Sequence, residues 1–160
     1  MTVSMFSGVE ITQTEFNDRY SCLTAPSTHE VIFDASLQVY RVDRMMRKAR
    51  AYNGHIRQDN LVYICGWRGD DSRLKAGHTE LTFNQRHSST RSSHYRDLLV
   101  LAILPTYDHL EVEKDLHSLL HASHNVGEWF FRTNQVMRTI LLLNERTGFI
   151  PYIIPAPGSN

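Results

Sequence analysis

Leu61-Val62-Tyr63-Ile64-Cys65-Gly66-Trp67 is an apolar run with β-branched and aromatic members. The polar turn Arg68-Gly69-Asp70-Asp71-Ser72 follows it, and then a second extended stretch, Arg73-Leu74-Lys75-Ala76-Gly77-His78-Thr79. Such side chains suit a pleated, half-buried surface, and Gly with Asp supplies the turn, so the whole stretch reads as a β-hairpin. Further along, Leu98 to Leu104, closed by Pro105, has the length and the proline boundary of a buried strand. Three strands imply a sheet whose apolar surface must be covered by something else.

The covering elements lie on either side. Upstream, Thr2 to His29 is mixed and turn-rich, with no sustained helical period. From Asp34 to Tyr52, by contrast, Leu37, Tyr40, Val42, Met45, Met46 and Ala49 form a loose apolar stripe, which predicts a basic amphipathic helix ending near Asn53-Gly54. Downstream, Thr82 to Ser89 reads as a short helix and Ser88 to Ser93 as a loop. Asp108 to Ala122 has helical spacing through Val112, Leu116, Leu119 and Leu120. Asp108 is its N-cap, and Glu111 stands three residues on, as in a capping box. Glu113, His117 and His121 fall at i, i+4 and i+8 and so share a face. Gly127-Glu128-Trp129-Phe130 reads as a packing corner with a polar edge, Trp129 and Phe130 anchoring a last helix from Asn134 to Glu145 that Gly148 ends. The tail from Pro151 packs over the surface or frays.

The predicted fold is therefore α+β: a small central, mostly antiparallel three-stranded sheet flanked by helices, with an N-terminal helical extension. Residues 1–60 form the extension, 61–148 the main domain and 149–160 a proline-rich tail. A chain of 160 residues suits one core. No segment approaches the roughly 18 unbroken apolar residues of a membrane span. Met1 to Gly8 carry no secretion signal. The expected location is intracellular, cytoplasmic or nucleoid-associated, or nuclear in a eukaryotic or viral setting. Cys22 and Cys65 form neither a disulfide framework nor a paired zinc motif and read as packed or idle thiols.

Seventeen basic residues balance seventeen acidic ones, so net charge does not announce a nucleic-acid partner. The distribution says more. Arg41, Arg44, Arg47, Lys48 and Arg50 crowd one predicted helix, and Arg86, His87, Arg91, His94 and Arg96 form a second cluster. The first is either a solvated face or a helix lying along phosphates.

Taken singly, Tyr63 reads as an interior aromatic, Lys75 and Arg86 as surface charges, and Glu113 with His117 as an exposed helical pair. Taken together with His78, they offer what phosphodiester hydrolysis requires. That chemistry needs an activated water, a cation beside the scissile phosphate and a carboxylate to hold a metal. Zinc bound by Glu113, His117 and His121 is disfavoured, because three successive turns spread the ligands over about 12 Å at 1.5 Å per residue.

Val62-Tyr63-Ile64, Lys75-Ala76-Gly77-His78-Thr79, Arg86, Glu113 with Leu116-His117, and Glu128-Trp129-Phe130 resemble, in order, the motif series of the GIY-YIG nuclease superfamily. The branch most similar is the phage-associated one whose second motif reads Lys-Ile-Gly-x-Thr. The resemblance covers about Leu61 to Asn144. It implies a metal-dependent endonuclease in which Tyr63 acts on the attacking water as general base or orienting partner. Arg86 would contact the scissile phosphate, and Glu113 would hold one Mg²⁺ or Mn²⁺. Gly77 would permit close packing in the second strand, and His117 would contact either the metal ligand or the substrate. His78 stands where many relatives carry lysine, and Lys75 replaces the broader superfamily's tyrosine, which leaves proton transfer open among Tyr63, His78 and Lys75. The implied partner is nucleic acid, DNA rather than RNA, with no membrane and a monomer or homodimer as the working unit, in a phage or mobile-element setting. The alternative is a catalytically inactive nucleic-acid-binding module on the same fold, for which the basic helix alone would suffice.

Overall fold

In the computed structural model the described residues are 2–4, 10–12, 30–50, 61–70, 72–79, 97–106 and 108–154. The strands are β1 (Thr2–Ser4), β2 (Glu10–Thr12), β3 (Leu61–Trp67), β4 (Arg73–Thr79), β5 (Leu98–Pro105), β6 (His124–Val126), β7 (Trp129–Phe131) and β8 (Tyr152–Ile154). The α-helices are α1 (Ala35–Arg50), α2 (His109–Leu119) and α3 (Asn134–Thr147), and a 3₁₀ turn covers His121–Ser123. No described helix is long and apolar enough to cross a membrane.

The expected hairpin forms with the expected bounds, but the sheet is larger than three strands. Six strands pair in the order β6-β7-β4-β3-β5-β8, every pairing antiparallel, while β1 and β2 make a separate two-stranded ribbon. The three strands read from sequence are the middle of this sheet. The additional strands β6, β7 and β8 have three residues each, too short for a period of two to declare itself. Thus Trp129-Phe130, expected as a corner, pairs with β4, and part of the predicted tail pairs with β5.

β3 and β5 read as continuous apolar runs because both of their faces are buried. Val62, Ile64, Leu74, Ala76, Leu99, Leu101, Ala102 and Leu104 meet the buried faces of the three helices, which include Val42 and Met45 of α1, Val112 and Leu116 of α2, and Ile140 of α3. Leu61, Tyr63, Cys65, Leu98, Val100 and Ile103 point the other way, toward Phe149 and Tyr152. The β3–β5 register shifts between Ile64 and Cys65. That bulge turns both Leu101 and Ala102 to the helical face, and the Asn144 side chain of α3 donates to the Leu101 carbonyl over 2.8 Å.

The helices start and stop where their sequence chemistry says they should. Asp34 accepts from Leu37 N at the head of α1, Asp108 from Glu111 N at the head of α2, and Thr133 from Val136 N at the head of α3. α3 ends on Gly148 at φ 74°, a left-handed cap. Two details of the expected stripes are corrected. Leu37 and Tyr40 are exposed rather than core-facing, since among its described side chains α1 buries Gln38, Val42, Met45, Met46 and Ala49 along one side. α2 ends at Leu119, so His121 leaves the Glu113–His117 face and is exposed in the 3₁₀ turn. The predicted helix at Thr82 to Ser89 and the Asn53-Gly54 turn lie outside the described residues.

The helix of the predicted extension shares the core of the main domain. Asp43 and Arg146 form an ion pair between α1 and α3, and Gln38 donates to Gln135 O and Thr139 Oγ1 of α3. Ahead of α1, Val31 exchanges two hydrogen bonds with the Asn134 side chain.

The hairpin turn is held by Asp70, whose Oδ1 accepts from Ser72 N, Ser72 Oγ and Arg73 N. Burial works against its charge, but the hydrogen bonds from Ser72 and Arg73 outweigh it, and its pKa lies below the usual carboxylate value. A depressed pKa stabilises the fold above the unfolded value and loses that contribution as pH falls through the folded value. Asp70→Ala is therefore expected to lower unfolding free energy by about 1–2 kcal/mol at pH 7. Urea titrations should show the gap between variant and parent closing as pH drops below 3.8, the ordinary aspartate value.

Candidate metal centre

The β3–β4 register decides which polar side chains share a face. Val62 stands opposite His78, Tyr63 opposite Gly77 and Cys65 opposite Lys75. His78 therefore points to the helical side with Ala76, whereas Tyr63, Lys75 and Gly77 belong to the other side. β7 pairs with β4 only through Arg73 to Lys75. Beyond that point no described strand pairs with this edge of β4, and described groups reach it from both faces.

From the helical side comes Glu113, whose α2 backbone is set by Val112 and Leu116 sinking into the core. Its carboxylate is divided between two imidazoles. Oε2 meets Nδ1 of His78, and Oε1 lies 3.4 Å from Nε2 of His117. The Glu113 side chain is 12% exposed. The buried His109, at the start of α2, stacks its ring 4.9 Å from that of His78.

From around the edge comes Glu128. It sits in the β6–β7 turn beside Gly127, which at φ 57° takes a conformation that favours glycine. The Glu128 carbonyl accepts from Ala76 N over 2.9 Å, anchoring the turn to β4. Its carboxylate reaches Lys75 Nζ at 3.7 Å. It also crowds Gly77: a Cβ there would stand 2.9 Å from the Tyr63 hydroxyl and 3.1 Å from Glu128 Oε2. Glycine at 77 is what lets these two groups approach the edge together.

The result is a cluster of His78, Glu113 and Glu128 whose ligand atoms all lie within 4.8 Å of one another. Ligands at about 2.0–2.2 Å from a shared ion stand up to roughly 4.4 Å apart. The three are therefore close enough to hold one divalent cation after a small side-chain rotation. Two carboxylates and an imidazole are a chemically sensible donor set for such an ion.

Other expected site residues fall into three groups. Tyr63 is buried at 1% exposure beneath Gly77, and Lys75 stands beside Glu128. His117 is tied to the Ala76 carbonyl over 2.8 Å and is not a member of the ligand cluster. Arg86 lies outside the described residues. Glu128, which stood in the motif series without a role of its own and was expected as the polar edge of a packing corner, belongs to the cluster. The sequence signal was a carboxylate next to a turn glycine. Phe130, two residues on, is buried as expected. Cys65 is buried, which pushes its thiol up to about 12 despite the Lys75 charge nearby and makes it a poor nucleophile.

On α1, Lys48 pairs with Asp115 at 2.9 Å and Glu111 at 3.5 Å, and Arg41 donates to Ser118 Oγ. The Asp115 hydrogen bond holds the Lys48 ammonium above its ordinary pKa. Glu111 and Asp115 are each two positions from Glu113, about 200° around a helix of 3.6 residues per turn. α1 thus lies across α2 from the cluster. Arg44 and Arg47 are exposed, and the Arg50 side chain is outside the described residues.

No protein-family model, curated protein or solved structure matches this chain.

Two substitutions probe the cluster directly. Isothermal titration with Mn²⁺ is expected to show at least about tenfold weaker binding for Glu128→Gln, with Glu145→Gln, on α3, unchanged. Gly77→Ala is expected to cost about 1–3 kcal/mol of stability by forcing the Tyr63 ring and the Glu128 carboxylate apart, measurable as a lowered urea midpoint.

Proposed function

We propose that this protein is a divalent-metal-dependent endonuclease that hydrolyses phosphodiester bonds in nucleic acid, with DNA as its substrate. The observation that carries this reading is the convergence of His78, Glu113 and Glu128 at the edge of β4, in a chain whose motif order resembles the GIY-YIG nucleases. The three ligands suit Mg²⁺ or Mn²⁺, and the imidazole favours Mn²⁺, which accepts nitrogen donors more readily. When bound, the cation supplies Lewis-acid polarisation of a phosphoryl oxygen.

The chain's own groups supply the rest. His78 and Glu113 meet through Nδ1 and Oε2, so an imidazole and a carboxylate stand together at the centre as ligands for the cation. The Tyr63 hydroxyl, held over Gly77, orients the attacking water from the opposite face of the sheet. Lys75, beside Glu128, offers positive charge to the phosphate, a role that Arg86 shares by the resemblance. Arg44 and Arg47 add a grip on the backbone away from the scissile bond, because α1 lies on the far side of α2. A module that only binds would have no use for two carboxylates gathered where phosphate must approach, since like charges repel.

The test is cleavage of plasmid, single-stranded DNA and RNA in Mg²⁺, Mn²⁺ or EDTA by the parent protein, Glu113→Ala and Glu128→Ala. Metal-dependent cutting of DNA that falls below detection in both variants is expected. Cutting that persists undiminished in Glu113→Ala, or equal cutting in EDTA, rejects the metal mechanism. Binding of all substrates without cutting rejects the enzyme.

A further inference from the structure

The three ligands of the cluster sit on three different elements, and the backbone of one residue touches the supports of all of them. Ala76 lies two residues before His78 on β4. Its N–H donates to the Glu128 carbonyl over 2.9 Å, and its C=O accepts from His117 Nε2 over 2.8 Å. His117 stands one turn after Glu113 on α2. A carbonyl oxygen can only accept, so Nε2 of His117 carries the proton and that nitrogen is not a metal ligand. The same Nε2 lies 3.4 Å from Glu113 Oε1, which leaves Oε2 facing His78. The imidazole is held in place edge-on against Phe130, with ring centroids 5.1 Å apart. Phe130 belongs to the strand that follows Glu128.

We infer that His117 is a positioning residue that sets the cation affinity of the centre, and does so without contacting substrate. By donating to the Ala76 carbonyl with Glu113 Oε1 only 3.4 Å away, it locks α2 to the edge of β4 and packs beside the Glu113 carboxylate, limiting its rotation. Oε2 is thereby kept aimed at the cluster. Outer partners that orient metal-binding carboxylates are commonly worth about 10–100-fold in metal affinity. This inference rests on the metal-dependent reading of the centre.

The experiment titrates Mn²⁺ into the full chain, following free Mn²⁺ by electron paramagnetic resonance, for the parent protein, His117→Ala and His117→Gln. Apo stability is measured for each by thermal melting in EDTA. Glutamine keeps an N–H donor close to the reach of Nε2. His117→Ala is expected to bind Mn²⁺ about tenfold more weakly or worse, and His117→Gln to recover most of that loss. At saturating Mn²⁺ the KM for an oligonucleotide substrate is expected to be unchanged in His117→Gln. Parental Mn²⁺ affinity in His117→Ala overturns the inference, as does equal loss in both variants or a KM raised at saturating metal. If the alanine variant melts below the assay temperature, His117→Phe, which keeps the ring packed on Phe130 but has no donor, takes its place: about tenfold weaker Mn²⁺ binding is expected and parental affinity overturns the inference. A parent protein that binds no Mn²⁺ rejects the metal centre itself, an outcome distinct from failure of the His117 role alone.

Discussion

The register between β3 and β4 is the constraint from which the rest of the molecule follows. With Val62 opposite His78 and Tyr63 opposite Gly77, one face of the hairpin carries Ala76 and His78 toward the helices, and the other carries Tyr63 and Lys75 away from them. A slip of one residue would exchange these sets. It would drive the His78 imidazole into the Tyr63–Cys65 layer and aim Lys75 at the helical core. Burial on both faces of β3 makes such a slip costly, because neither surface can take a charged side chain without a partner. The polar cluster is thus specified by the packing of apolar residues around it.

The edge matters as much as the register. β7 stops pairing at Lys75, and the turn before it carries Glu128 around the end of the pairing. Groups from opposite faces of a sheet meet only where the sheet ends, and the centre of this protein lies at such a place. The charged and polar side chains there, Lys75 and His78 among them, also make a poor template for addition of another strand.

Much of this was readable in the amino-acid sequence. The hairpin strands, the long β5 strand and all three described helices announce themselves by period, caps and turn residues. Glu113, taken singly an exposed helical residue, is singled out by its place in the motif series that resembles the nucleases. What could not be read has physical causes. β6, β7 and β8 are each shorter than the window over which alternation becomes visible, so the sheet was expected at half its size. Glu128 lies next to Trp129 and Phe130, whose burial dominates any reading of that stretch. Its approach to His78 depends on the Ala76–Glu128 backbone bond, which no local pattern encodes. Tyr40 and Leu37 looked core-facing because they fit the helical period, yet α1 rotates to bury Gln38, whose amide has partners on α3. Part of the charge of α1, expected to face phosphate, is taken up by α2 through Lys48 and Arg41.

The bond between Ala76 and the β6–β7 turn also bears on the order in which the molecule can come together. His78, Glu113 and Glu128 belong to three stretches far apart in the chain, and none of the intervening hairpins or helices contains two of them. A chain that had formed only β3, β4 and β5 would hold His78 alone of the three, because Glu113 arrives with α2 and Glu128 with the β6–β7 turn. Closure of the cluster therefore waits on the docking of β7 against β4, whatever the state of β8 at the other end of the sheet.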